Sequence, residues 1–112
     1  MKPFTKKVII VLVDDDPEDS MFFKEALVEV NSNHAYRWFS SGDAVLSYLT
    51  EPGIIIPDIL FLDLNMPGIT GKACLKKIHS MERYSNMPIA IYSTSNADQD
   101  KHDTFAGGAT FL

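Results

Sequence analysis

The sequence predicts an α/β domain built around a parallel sheet. Short aliphatic runs rich in β-branched residues, which are typical of strands buried on both faces, alternate with segments whose apolar residues recur every three or four positions, as in helices. The chain has 112 residues, the size of one domain, and 46% of them are hydrophobic, which is enough for a packed core. Strict alternation of strands and helices implies right-handed crossovers, so we expect parallel strands with helices on both faces.

The first strand and the first helix are predicted from adjacent signals. The run Val8–Val13 is six aliphatic residues long and predicts a buried strand. Asp16 then supplies a helix cap, Pro17 takes the first helical position, and Asp19 follows three residues after the cap. The predicted apolar face of this helix consists of Phe23, Ala26, Leu27 and Val30, and the residues at 31–33 end it.

Turn-forming residues separate the remaining elements. Pro52, Gly53 and Pro57 break the chain ahead of the third strand, and Pro88 precedes the fourth. The remaining strands are predicted at 35–39, 59–62, 89–92 and 110–112. The second predicted helix opens at 40–43, and its apolar face is Val45, Tyr48 and Leu49. The third contains the apolar residues Cys74, Leu75, Ile78 and Met81. The fourth, at 96–106, is polar and weakly amphipathic.

Acidic residues follow two of the predicted strands directly. Asp14 and Asp15 come after the first strand, and Asp63 comes after the third. Parallel sheets bind ligands at the carboxyl ends of their strands, so we expect these three carboxylates to meet at one edge. Because clustered carboxylates repel one another, a fold that gathers them usually holds a cation there. Asp16 has a structural explanation, since it fits the helix cap.

Four stretches of the sequence resemble the receiver domain of two-component response regulators. They are 11–16 (VLVDDD), 58–71 (DILFLDLNMPGITG), 88–95 (PIAIYSTS) and 107–109 (GGA), and together the resemblance covers essentially the whole chain. The resemblance implies a flavodoxin-like, doubly wound sheet of five parallel strands in the order 2-1-3-4-5, which is the order of the chemotaxis regulators of this family.

The resemblance also implies a role for individual residues. Asp63 would accept a phosphoryl group from a phosphohistidine of a sensor histidine kinase or phosphotransfer protein. Ser93, which its spacing favours over the competing hydroxyls of Thr94 and Ser95, would hydrogen-bond that group. Asp15 would bind Mg²⁺ directly and Asp14 mainly through water, with a carboxylate oxygen of Asp63 and the backbone carbonyl of Asn65 completing the protein's share. Mg²⁺ keeps several waters and takes oxygen ligands, so a sparse set of this kind suits it.

The implied function is a phosphorylation-dependent switch, which signals by docking to a downstream protein and is no enzyme beyond its own phosphorylation and dephosphorylation. The sequence departs from the family in one respect. The Lys that follows the fifth strand would fall three residues beyond Leu112, and the last helix is missing. We therefore expect residues 1–112 to be one receiver domain truncated at its carboxyl end.

Two other functions stay open at this point. Haloacid dehalogenase-type phosphatases, which are Mg²⁺-dependent, also place Asp-x-Asp after a first strand, as Asp14 and Asp16 do here. Their motif continues with Thr or Val where this chain has Glu18, and 112 residues leave no room for their cap region. The third possibility is a receiver-like scaffold that is not phosphorylated. The intact acids argue against it, and the missing Lys argues for it.

Composition bears on nucleic-acid binding, on membrane insertion and on the compartment of the protein. The net charge of −5 argues against nucleic-acid binding through this domain, because phosphate contacts need clustered Lys and Arg. No apolar run approaches the ~20 residues that a membrane span requires. Cys74 is the single cysteine, so no internal disulfide can form and a reducing compartment fits best. We therefore expect a cytoplasmic protein.

Overall fold

A five-stranded parallel sheet organises the chain. The computed structural model describes residues 7–30, 34–66, 68–92 and 110–111. The strands are β1 (Val8–Val13), β2 (His34–Phe39), β3 (Ile59–Asp63), β4 (Ile89–Tyr92) and β5 (Thr110–Phe111). They are hydrogen-bonded in the order β2-β1-β3-β4-β5, and every pair is parallel. The predicted α/β class, the flavodoxin-like fold and the strand order are confirmed.

Side-chain caps begin the helices, which are α1 (Pro17–Val30), α2 (Gly42–Thr50) and α3 (Gly71–Ser80). The Ser41 hydroxyl accepts from the Ala44 amide at the start of α2, and the Thr70 hydroxyl accepts from the Ala73 amide at the start of α3. A 3₁₀ turn at Glu82–Tyr84, which the sequence pattern did not predict, follows α3. The predicted helix at 96–106 lies outside the described residues.

The predicted cap of α1 is confirmed in part. Asp16 Oδ1 accepts a hydrogen bond from the Glu18 amide at 2.9 Å, as a helix-capping Asp does. A full capping box would also have the side chain of Asp19 accept from the Asp16 amide. That amide instead donates to Asp14 Oδ1 at 2.8 Å, so the start of α1 is fastened to the end of β1.

The core described here lies between the sheet and the pair α2 and α3. The predicted apolar faces of these helices are confirmed for Val45, Leu49, Cys74, Leu75 and Ile78, all of which are buried. On α1, by contrast, Phe23 and Leu27 are half-buried and Ala26 is exposed, so the prediction was wrong for Ala26. The rings of Tyr36 and Phe61 contact Phe23, with centroids 6.0 and 4.8 Å away, and this aromatic contact joins α1 to the sheet.

Candidate metal centre

The three acids predicted to converge do so at the carboxyl edge of the sheet. Asp14, Asp15 and Asp63 each offer a carboxylate oxygen, and these oxygens all lie within 4.8 Å of one another. The pairing of Val13 with Leu62 explains this, since it sets the ends of β1 and β3 side by side. The geometry confirms the predicted convergence, and the donor set, three carboxylates, is one that a hard divalent cation prefers.

The three carboxylates differ in their access to solvent. Asp14 is buried, with 1% of its surface exposed, whereas Asp63 is half-buried and Asp15 is exposed. An open pocket of about 420 Å³ lies beside Asp15 and Asp63, and Asp14 is not among the residues that line it. Its lining residues are Asp15, Asp16, Pro17, Asp19, Asp63, Asn65 and Tyr92. Four of these seven are acidic, so the pocket attracts cations.

Hydrogen bonds engage every polar atom of Asp14. Its amide donates to the Phe39 carbonyl at 3.1 Å, and its own carbonyl accepts from Trp38 Nε1 at 2.7 Å. Oδ1 accepts from the Asp16 amide at 2.8 Å, and Oδ2 accepts from the hydroxyl of Tyr92. The two bonds to the backbone come from β2, and the two bonds to the carboxylate come from the start of α1 and from β4, so the orientation of this buried side chain is fixed.

The loop after Asp63 is held by one hydrogen bond to the Asp63 carboxylate and one to the backbone of β4. Asp63 Oδ1 accepts from the Asn65 amide at 2.9 Å. The Leu64 amide donates to the Tyr92 carbonyl at 3.1 Å. Gly71 lies against this loop, because a Cβ on it would stand 2.6 Å from Leu64 Cα and 2.7 Å from the Asp63 carbonyl oxygen. The loop can therefore lie this close to α3 only if residue 71 is glycine.

The pocket's electrostatics disfavour added negative charge. Burial, and then the charges of Asp14, Asp15 and Asp19, raise the pKa of Asp63 above its ordinary value, against the lowering effect of its hydrogen bond from Asn65. Desolvation and the neighbouring carboxylates likewise raise the pKa of Asp19, although this side chain is exposed. A divalent cation would remove the repulsion that causes these shifts.

Burial, together with the adjacent Asp14, raises the pKa of Tyr92. Its hydroxyl therefore stays protonated and donates a hydrogen bond to the Asp14 carboxylate. Sequence reasoning treated Tyr92 only as the last residue of a strand. The pairing of Tyr92 with Asp63 explains its place in the site, because paired residues point to the same face of a sheet, and this register is known only from the structure.

Two further residues of the site were not predicted, and one predicted residue is not described. Asp19 was interpreted as part of a helix start, yet it lines the acidic pocket. Trp38 was not singled out, yet its indole N–H holds the backbone of Asp14. The predicted hydroxyl at Ser93 lies outside the described residues.

Comparison with known proteins places this fold and site in one family. The family model of the response regulator receiver domain matches residues 10–111. The chain belongs to that family, whose members are phosphorylation-dependent signalling domains of two-component systems and generally not enzymes. The resemblance drawn from the sequence is thereby confirmed, and nothing favours the phosphatase alternative.

Two curated relatives illustrate the likeness. The probable methanogenesis regulatory protein FilR2 of Methanothrix harundinacea is 30% identical over 95 residues, which are 82% of this chain and 61% of FilR2. Response regulator Rcp1 of Synechocystis is 27% identical over 96 residues, 82% of this chain and 65% of Rcp1. The chain thus spans less than two thirds of either curated relative.

Solved structures extend the comparison to the fold. The phosphorylated cyanobacterial phytochrome response regulator RcpA superposes with a TM-score of 0.87 at 25% identity, over 95% of this chain and 79% of RcpA. The Mn²⁺-bound form of Rcp1 superposes with a TM-score of 0.86 at 24% identity, over 94% of this chain and 79% of that one. Among the residues described here, no helix has the length and hydropathy needed to cross a bilayer.

Proposed function

We propose that this chain is a Mg²⁺-dependent receiver switch that is phosphorylated on Asp63. The observation that carries the proposal is the convergence of Asp14, Asp15 and Asp63, whose carboxylate oxygens lie within 4.8 Å of one another. Asp15 and Asp63 would hold the ion directly, together with the backbone carbonyl of Asn65, and Asp14 would contact it through water. The Mn²⁺-bound form of Rcp1 supports a divalent ion in a protein of this fold.

Asp63 has the position and the free atom that phosphoryl transfer requires. Its Oδ1 accepts from the Asn65 amide and would hold the ion through its second lone pair, which leaves Oδ2 as the nucleophile. Oδ2 forms a bond to phosphorus as the bond from phosphorus to the imidazole nitrogen of the donor phosphohistidine breaks, and the imidazole leaves and takes up a proton. The bound ion supplies charge neutralisation for the incoming phosphoryl oxygens.

The proposal extends to the partners of the domain. A sensor histidine kinase or phosphotransfer protein would donate the phosphoryl group, and a downstream protein would read the phosphorylated state in the cytoplasm. Ser93 would hydrogen-bond a phosphoryl oxygen, since it follows Tyr92 directly and Tyr92 lines the pocket.

Acetyl phosphate with Mg²⁺ tests the phosphorylation step. Intact mass is expected to show the gain of one phosphoryl group in the wild-type protein and in Asp43→Asn, and no gain in Asp63→Asn. Asp43 is a matched control, because it is an exposed aspartate at the start of α2 that does not line the pocket. Phosphate release without a labelled protein would instead indicate a phosphatase, and no reaction at all would indicate a scaffold.

Thermal stability tests whether Mg²⁺ binds and whether Asp15 is one of its ligands. Mg²⁺ tenfold above its dissociation constant should stabilise the folded state by about 1.4 kcal/mol, because it binds the native protein only. Asp15→Asn should abolish most of this gain, whereas Asp43→Asn should keep it. An unchanged response to Mg²⁺ in Asp15→Asn would remove Asp15 from the ligand set.

A further inference from the structure

We infer that Tyr92 is a positioning residue that keeps Asp14 from binding the divalent ion directly. The inference rests on the proposed function, because it explains which acids of the same metal centre bind the ion directly and which one contacts it through water. Its basis is the hydrogen bond from the Tyr92 hydroxyl to Asp14 Oδ2, which spans the end of the intervening strand β3.

The contacts of Asp14 leave neither of its carboxylate oxygens free. Oδ1 is held by the Asp16 amide and Oδ2 by the Tyr92 hydroxyl. The amide is fixed, because it belongs to the residue that caps α1. The carboxylate therefore cannot turn toward an ion in the pocket unless it gives up the bond to Tyr92. Asp14 does not line the pocket, so an ion held there can reach it through a bound water, which would donate to the second lone pair of either carboxylate oxygen.

The other two acids are not restrained in this way. Asp15 is exposed, and no hydrogen bond to its carboxylate occurs within the described part of the chain. Asp63 lines the pocket, and within the described part of the chain only its Oδ1 accepts a hydrogen bond, from the Asn65 amide. Both can therefore approach an ion to direct bonding distance, whereas Asp14 stays one water away.

Tyr92 is anchored well enough to impose this restraint. Its backbone pairs with Asp63 in the sheet, and its carbonyl accepts from the Leu64 amide at 3.1 Å. One residue thus fixes the backbone beside Asp63 and the side chain of Asp14. The hydroxyl makes the hydrogen bond to Asp14, so Tyr92→Phe removes this restraint and keeps the ring.

Mn²⁺ binding to the whole chain, in wild-type protein and in Tyr92→Phe, tests the inference. The number of waters on Mn²⁺ is measured by water-proton relaxation and the affinity for Mn²⁺ by calorimetry. Tyr92→Phe should lose one water, because Asp14 becomes a direct ligand. It should also bind Mn²⁺ about tenfold more tightly, the equilibrium equivalent of one ordinary hydrogen bond that no longer has to be broken. Tyr36→Phe is the matched control, because its hydroxyl bonds Ser20 Oγ at 2.7 Å outside the pocket.

The same substitution made in the Asp14→Asn variant shows whether Tyr92 acts on the ion through Asp14 or by another route. In Asp14→Asn, adding Tyr92→Phe should change neither the water number nor the affinity. An unchanged water number in Tyr92→Phe, or weaker binding than in Tyr36→Phe, would overturn the role of Tyr92 and leave the metal centre standing. Failure of the wild-type protein to bind Mn²⁺ or Mg²⁺ would refute the metal centre itself and this inference with it.

Discussion

Replacement of Asp63 with Asn should stabilise the ion-free protein. Asp63 stands within 4.8 Å of carboxylate oxygens of Asp14 and Asp15. Two unit charges at this distance repel by about 3.5 kcal/mol at an effective dielectric of 20, and by about 0.9 kcal/mol in bulk water. Because Asp15 is exposed and Asp63 is only half-buried, the value for water is the better guide to that pair, and it is a lower bound for the pair with the buried Asp14. Removing two such repulsions should add about 1–2 kcal/mol to the free energy of unfolding.

The substitution is conservative in every other respect. The Asn carbonyl oxygen can still accept the hydrogen bond that Asp63 Oδ1 receives from the Asn65 amide at 2.9 Å. The gain should raise the melting temperature by roughly 4–8 °C for a domain of this size. It should shrink in 1 M salt, where the Debye length falls to about 3 Å.

Urea and thermal unfolding in low-salt buffer with a chelator measure this effect. Asp43→Asn is the control, since it removes an acidic charge outside the pocket. With saturating Mg²⁺ the order should reverse, because the wild-type protein gains ion-binding energy that Asp63→Asn lacks. A free energy of unfolding that is unchanged or lower in ion-free Asp63→Asn would show that the three carboxylates do not repel one another in the folded state.

Three further outcomes follow from the contacts of single residues. Because the native pKa of Asp63 is raised above 3.8, the folded state binds its proton more readily than the unfolded state does. The stability advantage of Asp63→Asn should therefore be complete above the raised pKa and vanish as the pH falls below 3.8, in urea titrations across that window. Tyr84→Phe should cost about 1–3 kcal/mol in urea unfolding, because the buried Leu49 carbonyl loses the hydroxyl that donates to it at 2.7 Å. Gly71→Ala should cost about 1–3 kcal/mol and weaken Mg²⁺ binding in calorimetry, since its Cβ would stand 2.6 Å from Leu64 Cα.

The sequence predicts an element well where its boundaries are marked locally. Strands β1 and β4 have the predicted bounds, because an acid ends the first aliphatic run and Pro88 precedes the second. Strand β3 runs one residue further than predicted, to Asp63, because pairing with Tyr92 extends it. The 3₁₀ turn at Glu82–Tyr84 has only three residues, which is too short to produce a periodic pattern.

The same distinction applies to the candidate site. The convergence of Asp14, Asp15 and Asp63 could be predicted, because each follows a strand and the strand order places the two strand ends together. The bonds that orient Asp14 could not be predicted. Trp38 is 24 residues away from it and Tyr92 is 78 residues away, and no local pattern couples residues at such separations. The strand register carries that information, and it is available only once the sheet is built.

The three acids of the site differ in burial and in the number of hydrogen bonds to their carboxylates, and these differences suit different roles in binding a cation. A buried carboxylate is costly unless hydrogen bonds compensate it, and Asp14 has both oxygens hydrogen-bonded, so its charge is tolerated at 1% exposure. A residue held in this way cannot rearrange when a ligand arrives, and it serves as a fixed charge behind the pocket. Asp15 and Asp63 keep open oxygens and solvent access, so they remain mutually repulsive until a cation enters. The site therefore combines one carboxylate that is fixed in place, Asp14, with two that can move toward a cation, Asp15 and Asp63. Asp63 is the residue proposed to accept the phosphoryl group.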